Sequence, residues 1–140
     1  MDGTRPRRWG ADGGFTLIEV LLVVLVLSAL LAIAIPAFTD QRAKAHGAAG
    51  KAEARLAYTA LETLRVERQT YDVRVAELVA VEPELAGVRD LELTGTREEF
   101  RLTVQARSGV VFGVERLAGG SVRRFCSPAG TSACRPGGSW

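Results

Sequence analysis

Histidine and cysteine are scarce in this chain, and their scarcity excludes several kinds of chemistry. There is one histidine, His46, and there are two cysteines among 140 residues. Zinc sites built from Cys and His use about four such ligands, and a Ser-His-Asp triad needs a histidine beside its nucleophile. Two cysteines are also too few for a disulfide-rich scaffold, and neither a phosphate-binding loop nor an HExxH motif occurs. The sequence therefore predicts no enzyme, no metal site and no cofactor.

A strong excess of either charge is also absent. Lys+Arg 18 against Asp+Glu 16 gives a formal net charge of +2 at pH 7, so no general attraction to nucleic acid is implied. Hydrophobic residues make up 47% and charged residues 24%, which suits one folded domain rather than a disordered chain. The apolar residues are, however, distributed very unevenly.

Residues 15–38 form a long apolar segment with one charged residue, Glu19. These 24 residues span about 36 Å as a helix, enough to cross the roughly 30 Å hydrocarbon core of a membrane. The basic residues Arg5, Arg7 and Arg8 favour a cytoplasmic N-terminal side and an exported C-terminal side. A secretory signal peptide shares this charge pattern, but its apolar core is shorter and is followed by a cleavage site of small residues. We therefore predict a single-pass membrane helix.

Glu19 places a carboxylate inside this segment, where a charge costs on the order of 2–3 kcal/mol near the middle of a span and less near its end. One interpretation is local, since the side chain lies one turn into the helix and favours the positive end of the helix dipole. The other interpretation is intermolecular. Cleavage after Gly14 would create an α-amino group on Phe15, and this cation on a neighbouring copy would pair with Glu19. Such pairing would set the axial stagger between subunits.

Residues 14–19 (GFTLIE), followed by an apolar helix with Pro36, resemble the N-terminal signature of type IV pilins and type II secretion pseudopilins. The resemblance implies that a prepilin peptidase cleaves after Gly14 and that the new N-terminal residue, Phe15, is N-methylated. Glu19 matches the glutamate that is the fifth mature residue in this family, and Pro36 matches a common proline at mature position 22. A helix kink at this proline is implied by the resemblance.

The resemblance also implies a location and a function. The precursor would lie in the cytoplasmic membrane with its cleaved leader, residues 1–14, inside and its exported head, residues 39–140, outside. The subunits would then leave the lipid and bundle their helices, residues 15–38, into a type IV pilus-like filament on the cell surface or across the periplasm. The implied partners are the prepilin peptidase and methyltransferase, other pilin copies, membrane lipid, and an inner-membrane assembly platform with its ATPase.

The sequence beyond the membrane segment predicts an α+β head. A helical pattern continues to residue 67, with an apolar stripe at spacings of three and four. The stripe consists of Ala45, Ala49, Ala52, Leu56, Ala57, Ala60, Leu61 and Leu64. A connecting region, residues 69–89, contains a short helix over residues 75–81. Alternating apolar residues predict three to four antiparallel strands packed on the stripe, within residues 91–94, 100–107, 110–114 and 121–125.

Cys126 and Cys134 are separated by seven residues. In an exported domain such a pair most simply forms a disulfide, with two unpaired thiols as the alternative. The pair resembles the disulfide that closes a C-terminal loop in many type IV pilins. Major pseudopilins instead hold calcium near their C-terminus through oxygen ligands, and this chain has no Asp or Glu after Glu115. The absence favours a pilin over a pseudopilin.

Two other functions stay open beside the pilin interpretation. One is a pseudopilin of a type II secretion system. The other is a minor pilin that binds DNA for uptake through the arginines that follow residue 115, which are Arg116, Arg123, Arg124 and Arg135. Four arginines without an aromatic stacking ladder also fit solvated strand edges that resist aggregation, so nucleic acid is the weaker alternative. Adhesion, motility, uptake and secretion are all compatible with the sequence.

Overall fold

The computed structural model describes residues 14–131 and 133–140. The predicted leader, residues 1–14, lies outside the described residues except for Gly14. The described chain divides into two compact units at the junction of Ala37 and Phe38. In chain order the elements are α1 (Leu17–Arg68), α2 (Val75–Val81), a 3₁₀ helix (Pro83–Gly87), β1 (Glu92–Gly95), β2 (Phe100–Gln105), β3 (Val111–Arg116) and β4 (Val122–Ser127).

Helix α1 runs without interruption from Leu17 to Arg68 and contributes to both units. Pro36 lies inside it, and the helix continues beyond this residue although proline has no N–H for the backbone ladder. An 18-residue window of α1 reaches a mean hydropathy of 3.0, and none of that window is buried within the described chain. By length and composition, α1 is able to cross a membrane.

The second unit contains a four-stranded antiparallel sheet in the order β1-β2-β3-β4. Strand β2 alternates strictly, with Phe100, Leu102 and Val104 buried, because successive side chains point to opposite faces of a sheet. The turn between β2 and β3 places Gly109 at φ +84°, a conformation that glycine adopts at little cost. The predicted α+β fold, with a long N-terminal helix against a small antiparallel sheet, is confirmed.

The face of α1 that packs on the sheet differs from the predicted stripe. The buried residues of α1 are Gly47, Gly50, Ala54, Ala57, Ala60, Leu61 and Leu64. Three residues of the predicted stripe are exposed: Ala45, Ala49 and Ala52. A Cβ atom on Gly50 would lie 2.6 Å from the Cβ of Ala106 and 2.9 Å from Cδ2 of Phe112, so the sheet approaches the bare helix backbone here. The later half of the predicted stripe, Ala57, Ala60, Leu61 and Leu64, is buried as predicted. The earlier half was wrong, because glycine adds no apolar side chain to the periodic pattern.

The connecting region contains the predicted short helix, α2, at Val75–Val81. Helix α2 begins where the backbone N–H of Arg74 donates to Oε2 of Glu77 at 2.7 Å. Glu77 also forms an ion pair with Arg68 at the end of α1. Leu78 of α2 and Leu85 of the unpredicted 3₁₀ helix are both buried in the core, so each of these two helices is anchored by a leucine of its own.

Candidate processing and assembly site

The segment that precedes α1 is open to solvent. Gly14 and Phe15 lie outside regular secondary structure, and the Phe15 side chain is 79% exposed. Among the described residues other than its chain neighbour Phe15, no atom lies within 4 Å of the position that a Cβ on Gly14 would occupy. The bond between Gly14 and Phe15, at which cleavage is predicted, is therefore not covered by any described part of the chain.

Thr16 and Glu19 form a capping arrangement at the first turn of α1. The backbone N–H of Glu19 donates to Oγ1 of Thr16 at 3.3 Å, and the Thr16 hydroxyl lies 3.5 Å from Oε2 of Glu19. A Thr three residues before a Glu is the spacing of a capping box, which satisfies N–H groups that a helix leaves unpaired. Sequence reasoning missed Thr16, although this spacing was readable.

The Glu19 carboxylate is only partly engaged by this cap. Its Oε1 oxygen has no hydrogen-bond partner within the residues that the structure describes. The side chain lies in the first turn, where the positive end of the helix dipole favours a negative charge. The local interpretation of Glu19 therefore has a geometric basis, and one carboxylate oxygen is still available to a neighbouring chain.

The apolar half of α1 exposes large side chains on every side. Residues 17–37 are all exposed, and they include Leu17 at 77% and Ile33 at 76%. A helix that is apolar all round suits a membrane or a helix bundle rather than water. Ser28 satisfies its own hydroxyl by donating to the Val24 carbonyl oxygen at 2.7 Å. That bond lets a polar side chain lie in an apolar medium without another partner.

The C-terminal tail folds back onto the sheet. Cys126 and Cys134 are joined by a disulfide. Beyond it, the Gly138 carbonyl oxygen accepts a hydrogen bond from the backbone N–H of Cys126 at 2.7 Å. The Trp140 indole N–H donates to the Gly113 carbonyl oxygen at 3.2 Å. The tail therefore covers one end of β4, the outer strand of the sheet.

Glu115 is the one buried charged residue in the described core, with 5% of its surface exposed. It lies opposite Arg101 of β2 and Arg123 of β4 in the strand register. Its Oε1 accepts from Nε of Arg123 at 2.8 Å, and its Oε2 accepts from Nη1 of Arg101 at 3.3 Å. Both carboxylate oxygens are thus used by arginines, which is how a buried charge is tolerated.

The four arginines that suggested a polyanion surface have different surroundings. Arg123 is paired with Glu115. Arg116 lies over the ring of Tyr71 at 5.8 Å, and Arg124 lies over the ring of Trp140 at 5.5 Å. The fourth is exposed Arg135 in the tail. Arg123 and Arg124 line one groove, and Arg116 lies elsewhere, so the structure does not gather the four into one surface.

Two tyrosines and a glutamate meet between α1 and the connecting region. The Tyr71 hydroxyl donates to Oε1 of Glu62 at 3.1 Å, and the Tyr71 and Tyr58 rings both pack against Phe100. Burial raises the pKa of both tyrosines, and the Glu62 carboxylate raises each pKa further. These contacts join elements of the core rather than line a site for chemistry.

No metal-binding cluster is present in the part of the chain that the structure describes. No three His, Cys, Asp or Glu residues there are placed to hold an ion together. His46, a half-buried residue of α1, lies in none of the cavities described for the head. The structural features that stand out are therefore the N-terminal segment, the exposed apolar helix and the surface of the head.

One comparison with known proteins locates a signature at the N-terminus. Residues 10–35 match the family described as the prokaryotic N-terminal methylation motif. This is the type IV pilin and pseudopilin signature, so the resemblance seen in residues 14–19 is confirmed. The match contains Gly14, Phe15 and Glu19 and ends just before Pro36. No solved structure matches the chain.

Proposed function

We propose that this chain, which carries the prokaryotic N-terminal methylation motif, is a structural subunit of a type IV pilus-like filament. The observation that carries the proposal is the position of the motif at the start of an apolar helix that no described part of the chain covers. The same helix continues into a folded head. A subunit of this kind has one surface for its neighbours and another for the filament exterior.

The first step of the proposed function is processing. The prepilin peptidase cleaves after Gly14, and Phe15 becomes an N-methylated N-terminus. The exposed, non-helical backbone around this bond supports the proposal, because a peptidase needs an extended and accessible substrate. The cap at Thr16 starts the helix just beyond the bond and so keeps the bond out of the helical ladder.

The second step is transfer of the helix from lipid to filament. In the bilayer, apolar side chains of α1 contact lipid, and in the filament they contact the same side chains of neighbouring copies. Because both media are apolar, the hydrophobic free energy changes little, and extraction is feasible. The head stays outside the cytoplasmic membrane throughout, and an inner-membrane platform with its ATPase drives the movement.

Register in the filament is proposed to depend on Glu19 and on the Phe15 amine of a neighbouring copy. Two unit charges about 4 Å apart attract by about 4 kcal/mol at an effective dielectric constant of about 20. Leaving the Glu19 carboxylate unpaired near the end of an apolar segment costs no more than about 2–3 kcal/mol. Pairing in the correct register offsets the cost of placing this carboxylate in an apolar segment. A slipped register separates the two charges, leaves that cost uncompensated and is therefore disfavoured.

The pilin interpretation is preferred to a calcium-binding pseudopilin because of the surroundings of Glu115. This residue is the last acidic residue of the chain, and both of its oxygens are engaged by Arg101 and Arg123. The segment beyond it offers no carboxylate ligand for calcium. The DNA-uptake alternative is weaker for a related reason, since Arg123 is ion-paired with Glu115 and the four arginines do not form one surface.

Fractionation of the source cells tests the proposed function. Surface filaments are sheared off, pelleted and probed with an antibody against the head, beside the membrane fraction. We expect the processed chain in the sheared fraction and loss of those filaments when the gene is deleted. A chain confined to the membrane fraction, with filaments unaffected by its deletion, would favour the pseudopilin alternative.

A further inference from the structure

Opposite charges are segregated along the head. Residues 72–99 carry eight acidic residues against three arginines, a formal net charge of −5. Residues 100–140 carry one glutamate against six arginines, a formal net charge of +5. The overall charge of the chain conceals this division between an acidic and a basic segment of the head.

The acidic segment reaches one edge of the sheet and the basic segment reaches the other, while Arg101, Arg107 and Arg116 lie in or beside the two central strands. The acidic segment includes β1, one outer strand, and the Arg89 carbonyl oxygen accepts a hydrogen bond from the N–H of Gln105 beside it. The basic segment includes β4, the other outer strand, and the tail that folds back on it. Complementary surfaces on opposite sides of a subunit suit contact between successive copies.

The basic surface is a groove of about 530 Å³ between α1 and β4. Its lining includes Tyr58, Val122, Arg124 and Trp140. The guanidinium groups of Arg55 and Arg124 lie 5.6 Å and 5.5 Å from the centre of the Trp140 ring. Neither arginine forms an ion pair with any residue that the structure describes. We name this surface, with Arg55, the basic groove.

Four acidic residues lie between the end of α2 and the start of β1. They are Glu82, Glu84, Asp90 and Glu92, and we name them the acidic edge. None of the four forms an ion pair with another residue that the structure describes. Glu82 and Glu84 flank Pro83 at the start of the 3₁₀ helix, and the buried Leu85 anchors this turn in the core. Both carboxylates are therefore presented from a fixed backbone.

We propose that the basic groove of one copy binds the acidic edge of a second copy. Arg55 and Arg124 of the groove and the carboxylates of the acidic edge form no ion pair with the described residues of their own head. Contact between copies therefore gives each group a partner of opposite charge. Because the two surfaces differ, the contact is heterologous, and such contacts build open-ended assemblies rather than closed pairs. The inference rests on the proposed filament function and specifies which faces of neighbouring heads meet.

Each such contact is weak, because exposed ion pairs are solvated and are screened by salt. Their effect comes from repetition along the filament, where the helices already hold the copies together and the effective concentration of the second surface is high. Like charges brought together at the same position are more damaging, because they repel each other and lose the attraction of the original pair. Charge reversal is therefore the sensitive test.

The test is a charge swap in the full chain, expressed in cells that lack the native copy. Arg55→Glu with Arg124→Glu reverses the groove, and Glu82→Arg with Glu84→Arg reverses the edge. We expect each pair to lower the yield of sheared filaments about tenfold, the effect of a penalty of about 1.4 kcal/mol per copy. The chain with all four changes should recover filaments to within about twofold, because the charges are again complementary.

The matched control is Arg107→Glu, which reverses an exposed arginine at the turn between β2 and β3, outside the groove. We expect normal yield from it. Arg55→Gln with Arg124→Gln, which removes charge without reversing it, should reduce the yield by less than reversal does. Protease resistance of each head in the membrane fraction shows whether a variant has folded.

Three outcomes would overturn the inference. The first is normal yield from both reversed pairs, and the second is no recovery in the four-fold variant while its head stays protease-resistant. The third is normal filament yield with salt-sensitive DNA retention lost only from the arginine variants, which would assign the groove to nucleic acid. If the unaltered chain forms no filaments, the proposed function itself fails, and the two failures are thereby distinguished.

Discussion

The Thr16 hydroxyl accepts a hydrogen bond from the backbone N–H of Glu19 at 3.3 Å. Glu19 therefore has a partner in its own chain. Glu19 is also the residue that is proposed to contact the next subunit. A helix cap contributes about 1 kcal/mol. Glu19 therefore helps to start α1, through this bond and through the 3.5 Å contact between the Thr16 hydroxyl and its own Oε2, and it has a separate, proposed role in assembly. Suitable variants distinguish the two.

The first prediction concerns the charge of Glu19. Glu19→Gln keeps an amide that is able to take part in the cap but removes the negative charge, whereas Glu19→Ala removes both. We expect both variants to be processed and both to assemble poorly, with filament yield reduced about tenfold or more, as for the loss of one charge pair. The ratio of mature to precursor chain and the yield of sheared filaments measure the two effects.

A control variant, Thr16→Ala, removes the hydroxyl from the cap and leaves the charge of Glu19 in place. It should reduce assembly less than Glu19→Gln does. If Glu19→Gln forms filaments normally, capping alone accounts for this residue and the intermolecular pair does not exist.

The second prediction concerns the close approach of the sheet to α1. Gly50→Ala adds a methyl group 2.6 Å from the Cβ of Ala106, and the core must shift to accept it. Overpacking of this kind costs about 1–3 kcal/mol, more than the gain of up to about 1 kcal/mol in helix propensity. We expect the midpoint of thermal unfolding to fall by about 4–8 °C for each kcal/mol by which the overpacking cost exceeds the propensity gain.

Gly87→Ala is the control for this substitution, because no atom beyond its two chain neighbours lies within 4 Å of the added methyl group. Its unfolding midpoint should change little. An unchanged midpoint for Gly50→Ala would mean that the helix and the sheet are not in contact at this position.

The third prediction concerns the disulfide. Because Cys126 and Cys134 close a loop with a sequence separation of 8, replacing both with Ala should lower the free energy of unfolding by about 2–3 kcal/mol. The tail should also loosen, since Gly138 and Trp140 are attached to the sheet just beyond the second cysteine. Urea unfolding measures the first effect, and the accessibility of Trp140 to a fluorescence quencher measures the second. Unchanged values of both would contradict the proposed role of the bond.

The fourth prediction is a loss of stability at alkaline pH. The folded head raises the pKa of Tyr58 and Tyr71, chiefly by burial and also through Glu62, so it favours their neutral forms. This stabilisation is fully present below the unfolded pKa of about 10 and is lost as the pH rises through the folded pKa values. We expect the urea midpoint to fall above about pH 10.

The variant Tyr58→Phe with Tyr71→Phe has no hydroxyls to ionise, so its midpoint should fall less over the same range. An equal fall in this variant and in the unaltered chain would show that other groups cause the alkaline loss.

Much of the head was predictable because its elements follow simple periods. The alternation from Phe100 onward gave β2, and the short helix α2 has the predicted limits, Val75–Val81. The part of the helix face around Gly47 and Gly50 was not predictable from apolar spacing, because these residues allow close approach of the sheet and add no hydrophobic side chain. Apolar periodicity identifies buried side chains, but it does not identify positions where another element packs directly against the helix backbone.

The candidate site was predictable to a different degree at each end of the chain. The N-terminal residues form a contiguous motif, so Gly14, Phe15 and Glu19 were singled out without a structure. The pairing of Glu115 with Arg101 and Arg123 depends on strand register, which brings together residues 14 and 8 positions apart. The groove beside Trp140 likewise needs the tail to fold back, and nothing in the local sequence specifies where the tail lies.

The most direct test of the central claim is mass spectrometry of the N-terminal peptide from sheared filaments. The account predicts an abundant peptide that begins at N-methylated Phe15, and it predicts that Gly14→Leu blocks the formation of this peptide. An intact leader beginning at Met1 in cells with an active prepilin peptidase, or a mature-sized product from Gly14→Leu, would contradict it.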